Sequence, residues 1–223
     1  MIKRIVVARE STLNGELQLQ RRGEDVYEII YNGVFLMASY NEPSARALAR
    51  LALARLPATQ TPLRVLVGGL GMGYTLTQAL ADPRVDRVDV VEIEPLIVRW
   101  NREQLGDLAG HPLNDPRTHL QEADLAAFLL DTPAMYDALL LDVDNGPGWL
   151  AIDSNEQLYG QAGLQRLKSR LVAGGVLAIW SADASPDFLD SLAVEFAGVV
   201  AEQVMDFTPQ GREITATIYL AQN

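Results

Sequence analysis

Leu63-Arg64-Val65-Leu66-Val67-Gly68-Gly69-Leu70-Gly71-Met72-Gly73 decides the fold. A short apolar strand runs straight into glycines at 69, 71 and 73, and helix-forming residues follow through Leu80. Glycines spaced in this way let a backbone turn tightly and pass close to a ligand without a Cβ in the way. A tight strand-to-helix turn with no ligand needs the same residues. The next strand, Arg87–Ile93, sharpens the reading, because it ends Val91-Glu92-Ile93-Glu94 and places Glu92 nineteen residues past Gly73. An acidic side chain at that distance, on the tip of the second strand, is positioned to accept hydrogen bonds from ribose hydroxyls.

Outward from this unit, strands and helices alternate. Strands are predicted at 117–121, 137–141 and 176–180, with helices at 95–104, 124–130, 155–171 and 186–196. Gly174-Gly175 is read as the end of the helix over 155–171. Two adjacent strands, 199–205 and 214–220, close the chain as an antiparallel edge. Strands joined through helices require right-handed crossovers, so the prediction is a doubly wound α/β fold with a mostly parallel sheet of seven strands. The first forty residues differ. They alternate as short strands, and Asn32-Gly33 between two apolar runs signals a hairpin. The expected organisation is a small antiparallel β region over 1–42 and a nucleotide-binding domain over 43–223, linked by a helix over 43–57 that opens at Asn41-Glu42-Pro43-Ser44.

Composition removes several function classes. The 223 residues include no cysteine and two histidines, His111 and His119. Disulfide scaffolds, thiolate sites and cysteine nucleophiles are excluded, and no metal is expected. The formal net charge of −11 opposes binding to a phosphate backbone, so no nucleic-acid partner is expected; the same charge attracts cationic substrates. No apolar run approaches the roughly 18–20 residues of a membrane span, so the expectation is a cytoplasmic protein with no membrane partner. A small sheet with open edges invites a homodimer.

Three further groups fall on the sheet edge where ligands bind in such folds. Asp124 follows the third strand, either capping a helix or lying over a base. Asp142, Asp144 and Asn145 follow the fourth, in Leu141-Asp142-Val143-Asp144-Asn145-Gly146-Pro147-Gly148-Trp149. They suit the handling of an amine and its proton, or an Asx-rich turn satisfied by its own backbone. Trp149 and Trp180 on this edge either wall a substrate pocket or pack the rim.

These residues resemble the spermidine synthase-like, polyamine aminopropyltransferase branch of the class I S-adenosylmethionine-dependent methyltransferase superfamily. The glycine loop, the Glu92 strand end, Glu122-Ala123-Asp124 and Tyr136-Asp137-Ala138-Leu139-Leu140-Leu141-Asp142 occur in that family's order and spacing, behind a small β region with an Asn-Gly hairpin. The resemblance implies a Rossmann-like methyltransferase sheet. It implies a donor, S-adenosylmethionine or its decarboxylated form, held by Gly69, Gly71, Gly73, Glu92 and Asp124. Asp142 with Asp144 or Asn145 would form the catalytic loop, and a small-molecule amine would be the acceptor. The family's loop reads G-G-G-D-G-G, and its aspartate binds the amine of the decarboxylated donor; Gly71 stands there in this chain. Its catalytic loop resembles D-S-S-D-P-x-G-P, against D-V-D-N-G-P-G over 142–148. Aminopropyl transfer is the expected activity, with methyl transfer as the alternative. A pocket retained without catalysis is a further reading, motivated by Gly71 and Asn145. An NAD-dependent dehydrogenase would use a similar glycine loop, but no second catalytic domain follows.

Overall fold

The computed structural model describes residues 3–143, 145–147 and 155–223. Four strands, β1 (Arg4–Ser11), β2 (Glu16–Arg22), β3 (Val26–Tyr31) and β4 (Val34–Ala38), form an antiparallel meander. Asn32 and Gly33 join the last two, with φ of 49° and 78°. A two-residue hairpin of this hand requires positive φ at both positions, which is why this dipeptide stands there.

A 3-10 turn, Ser39–Asn41, leads into α1 (Glu42–Ala54). The main sheet follows, with β5 (Leu63–Gly68), β6 (Val85–Glu92), β7 (Thr118–Glu122), β8 (Tyr136–Leu141), β9 (Leu171–Ser181), β10 (Ala197–Phe207) and β11 (Glu213–Gln222). Its spatial order is β10-β11-β9-β8-β5-β6-β7. The strands from β5 to β9 pair in parallel, while β11 and β10 run antiparallel at one edge. The expected seven-stranded, mostly parallel, doubly wound sheet is therefore present. The strand order reverses at β5, whose neighbours are β6 on one side and β8 on the other. Ligand crevices open at such a switch point.

Both faces of the sheet are covered. Val65 and Val67 of β5 belong to one buried cluster with α1, while the intervening Leu66 joins the other. The same alternation splits Ala138 and Leu140 from Leu139 and Leu141 on β8. Successive side chains of a strand point to opposite faces, so a strand buried on both sides reads as an unbroken apolar run. Leu17, Leu19, Ile29 and Tyr31 of the small sheet merge into the first cluster, seating that sheet beside the glycine loop.

Two expectations are corrected. The helix over 155–171 is broken at Gly160 into α6 (Glu156–Tyr159) and α7 (Gln161–Ser169), after α2 (Tyr74–Leu80), α3 (Pro95–Arg102), α4 (Gly106–Ala109) and α5 (Leu125–Asp131). Gly163 explains the fold-back, since a Cβ there would run into the carbonyl oxygens of Gln157 and Leu158. Gly174 is not a helix end. It lies inside β9, with φ of 77°, near a register shift against β8. A last helix, α8 (Pro186–Glu195), starts under a Ser185 cap whose hydroxyl accepts from the Phe188 amide. Among the described residues no helix is long and apolar enough to cross a membrane.

α1 ends without a glycine, and an arginine from the next layer does the capping. Arg84 donates to the carbonyls of Leu53 at 2.8 Å, Pro57 at 3.0 Å and Leu56 at 3.3 Å, and Asp82 holds its guanidinium at 2.7 Å. Leu53 and Pro57 also accept from the amides of Leu56 at 3.3 Å and Gln60 at 2.9 Å, so removing the fork withdraws charge-assisted bonds from the helix end and leaves the Leu56 carbonyl with the largest loss. Arg84→Ala is expected to cost about 1–3 kcal/mol in urea unfolding, against a few tenths for an exposed arginine such as Arg50→Ala.

Candidate functional site

A cleft lies at the C-terminal ends of β5, β6 and β8, roofed by β4 of the small sheet. The glycine loop forms its floor. Gly69 has φ of 84°, and a Cβ there would collide with the Asp142 carbonyl. This glycine is demanded by the neighbouring strand end as well as by any ligand. Gly71, at φ of 50°, faces the roof, and its absent Cβ would lie 2.7 Å from the Met37 sulfur. Gly73 faces the other way. It starts α2 at φ of 83° and packs on Asn101, Ala109 and Pro112, outside the cleft.

Glu92 is buried at the tip of β6. Its two oxygens accept from the amides of Leu70 at 2.8 Å and Glu94 at 2.9 Å, so the carboxylate ties the glycine loop to the start of α3. Burial pushes this carboxyl up, and the backbone donors partly offset it. Asp124 caps α5, accepting from the Ala127 amide at 2.9 Å, and lines the cleft at the same time. The two readings of Asp124 are therefore compatible.

Asp142 stands beyond β8. Its carboxylate accepts from Thr75 Oγ1 at 3.0 Å, and the same hydroxyl lies 3.1 Å from the carbonyl of Ala45. Desolvation is the first cause that pushes this carboxyl up to about 6; the Thr75 bond opposes it and the charge of Asp206 adds to it. Asn145 is buried beside it, with its amide 3.4 Å from the Phe35 carbonyl. Trp180 lines the same end, donating from Nε1 to Ser44 Oγ at 3.1 Å. Asp144 and Trp149 lie outside the described residues.

The sequence reading missed three groups. Glu94 is 3% exposed and lines the cleft. One of its oxygens accepts from Asn14 Nδ2 at 2.9 Å and Thr12 Oγ1 at 3.2 Å, on the β1–β2 turn, and the other is buried without a partner. In the sequence, Glu94 reads only as part of the strand end Val91-Glu92-Ile93-Glu94. Met37 carried no polar signal. Asp206, on β10, is fully buried and accepts from the Ser44 amide at 2.9 Å, Ser44 Oγ at 2.6 Å and Asn41 Nδ2 at 3.0 Å. Asn41 itself makes no capping bond to α1, so the helix takes its N-terminal acceptor from a strand more than 160 residues later in the chain.

Four carboxylates, Glu92, Glu94, Asp124 and Asp142, line the cleft, and no lysine, arginine or histidine does among the described residues. A pocket so charged suits a ligand that brings hydroxyl or amine donors and a positive charge.

The spermine/spermidine synthase domain model matches residues 45–196. A putrescine N-methyltransferase of Nicotiana tabacum is 31% identical over 136 residues, covering 60% of this chain and 33% of that one. A polyamine aminopropyltransferase of Pseudomonas aeruginosa is 34% identical over 122 residues, covering 53% of this chain and 33% of that one. The match thus spans about a third of the length of these relatives. A crystal structure of spermidine synthase in complex with the transition-state analogue AdoDATO superposes with a TM-score of 0.79 at 17% identity, covering 97% of this chain and 73% of that one. That likeness speaks for the fold.

The Asp142 carboxyl makes a prediction of its own. It binds its proton more tightly in the folded chain than in the unfolded one, so stability falls as pH rises from about 4 through about 6 and then levels off. Asp142→Asn is expected to raise stability at pH 7.5 by up to about 3 kcal/mol, with the gain gone at or below about pH 4. Thermal unfolding across that range measures it, and an equal effect at both ends would contradict the assignment.

Proposed function

The chain belongs to the spermine/spermidine synthase family, and from that premise we propose that it transfers an alkyl group from the sulfonium of an S-adenosyl donor to the nitrogen of a small amine. The cleft lined by four carboxylates and no cationic side chain carries this reading. A sulfonium and an amine are the positive charges such a lining favours.

The roles divide along the cleft. Glu92 accepts from the ribose hydroxyls, beside the loop it already organises. Gly69 and Gly71 give the donor's alkyl arm a floor without side chains. Asp124 reads the base, and Asn145 stands at the reacting end. The nitrogen lone pair forms the new N–C bond as the C–S bond breaks, and sulfur leaves as a neutral thioether with the bonding pair. The nitrogen sheds a proton, and Asp142, pushed up to about 6, is the group nearby that takes one readily at neutral pH. Holding donor and acceptor in line supplies most of the remaining acceleration.

Aminopropyl transfer from decarboxylated S-adenosylmethionine is the first reading, on the family match. Methyl transfer from S-adenosylmethionine is the second, and a specific observation favours it. At position 71 there is no carboxylate to meet the amine of the decarboxylated donor, and Met37 fills the space a side chain would take. The expected setting is the cytoplasm, with no metal, no nucleic-acid partner, and a homodimer whose second copy covers the exposed strand β1.

Incubation with putrescine and each donor separates the readings by product. Release of methylthioadenosine supports the first, and release of S-adenosylhomocysteine the second. Failure of the purified chain to bind methylthioadenosine or S-adenosylmethionine in calorimetry sinks both. Asp142→Asn is expected to lower kcat roughly 100-fold or more while nucleoside affinity stays within about twofold. Glu92→Gln is expected to do the reverse, weakening nucleoside binding about tenfold or more.

A further inference from the structure

We infer that Asp206 is a positioning residue for the acceptor end of the cleft, which through Ser44 orients the Trp180 indole and sets the first turn of α1 behind Asp142. The inference deepens the transfer reading and rests on it for what the positioned groups do. The geometry is a chain of directed bonds. Trp180 Nε1 donates to Ser44 Oγ at 3.1 Å, and Ser44 Oγ donates to Asp206 at 2.6 Å. The Ser44 amide and Asn41 Nδ2 complete three donors on one fully buried carboxylate. A carboxylate withdrawn from water persists only when its donors are supplied, and here they all come from the entry of α1.

Asn41, Ser44, Ala45 and Trp180 all line the cleft, whereas Asp206 does not. It therefore acts through others. The next residue, Ala45, has its carbonyl 3.1 Å from Thr75 Oγ1, where it competes with Asp142 for that hydroxyl's one hydrogen. The first turn of α1 is thus bonded directly to Asp206 and sets an acceptor that competes with Asp142 for Thr75. Among the described residues, Asp206 on β10 is the charged group that bears on Asp142, while Thr75 on α2 is neutral. The charge of Asp206 also bears on the Tyr40 phenol, which burial pushes up first and Glu28 and Asp206 push further, against Arg22 and Arg4. Removing the Asp206 charge lowers the proton affinity of Asp142, an effect no purely structural prop would have.

The test uses Asp206→Asn and Ser44→Ala in the full chain. In fluorotryptophan-labelled protein, the Trp180 resonance, identified by its loss in Trp180→Phe, is expected to shift in both variants. The Asp142 carboxyl, followed by carbon NMR, is expected to titrate at lower pH in Asp206→Asn and at an unchanged pH in Ser44→Ala. The acceptor KM is expected to rise roughly tenfold in both, with methylthioadenosine affinity unchanged, as for the loss of one charge-assisted bond. A folded Asp206→Asn with the wild-type Trp180 resonance and the wild-type Asp142 midpoint overturns the inference. If Asp206→Asn does not fold, Ser44→Ala decides alone, and an unmoved Trp180 resonance with an unmoved acceptor KM overturns it. A wild-type chain without turnover or nucleoside binding defeats the transfer reading, and the two NMR readouts still judge Asp206.

Discussion

The backbone of Gly69 lies against the carbonyl of Asp142 with no room for a Cβ between them, and the site is built outward from that contact. It joins the ends of β5 and β8, the two strands flanking the point where the sheet order reverses. The amide of Asp142 donates to Gly68 at 2.8 Å, and that of Gly69 donates to Val91 at 2.9 Å, so three strand ends are stitched at one level. Glu92 adds the loop itself through Leu70. The floor of the cleft and the carboxylate beyond β8 are therefore one rigid unit, and rigidity is what an in-line displacement asks of a protein. A small residue at 69 is a requirement of this junction before any ligand arrives.

The cost of the arrangement is electrostatic. A chain already at −11 gathers Glu92, Glu94, Asp124 and Asp142 around a single cleft, three of them with little access to water or few donors. Glu94 leaves one buried oxygen without a partner among the described residues. Such groups destabilise an empty site, and the deficit is recovered when a ligand supplies the missing hydrogens and charge. The small N-terminal sheet contributes here as more than a cover. Its β1–β2 turn holds Glu94 through Thr12 and Asn14, and Tyr31 in turn donates to the Asn14 carbonyl at 2.5 Å. The roof and the Glu94 end of the cleft share these bonds.

What the sequence disclosed follows from how local each signal is. The glycine loop, Glu92 and Asp142 sit at strand ends, and a strand end is marked by its own neighbours, so the fold and the line of the cleft were legible. Asp124 was legible as a cap because an N-cap is a three-residue event. Asp206 was not, because its partners Asn41 and Ser44 lie at the other end of the chain and nothing in Met205-Asp206-Phe207 announces burial. Met37 and Gly71 become a pair only when the small sheet docks. The helix expected over 155–171 failed for a related reason: its periodicity was sound, but the close approach of Gly163 to the preceding turn is a tertiary fact.

Asp142 and Asp206 show how the same side chain serves two ends by its supply of donors. Asp206 is met by three, all fixed by the start of α1, and it lies out of reach of the cleft. Among the described residues Asp142 is met by one, from Thr75, and opens on the cleft. Burial with little compensation from donors is what raises the proton affinity of Asp142. The chain places Asp142 beyond β8 and directs more of its donors to Asp206. Under the proposed transfer, this division lets stability and proton transfer draw on different residues.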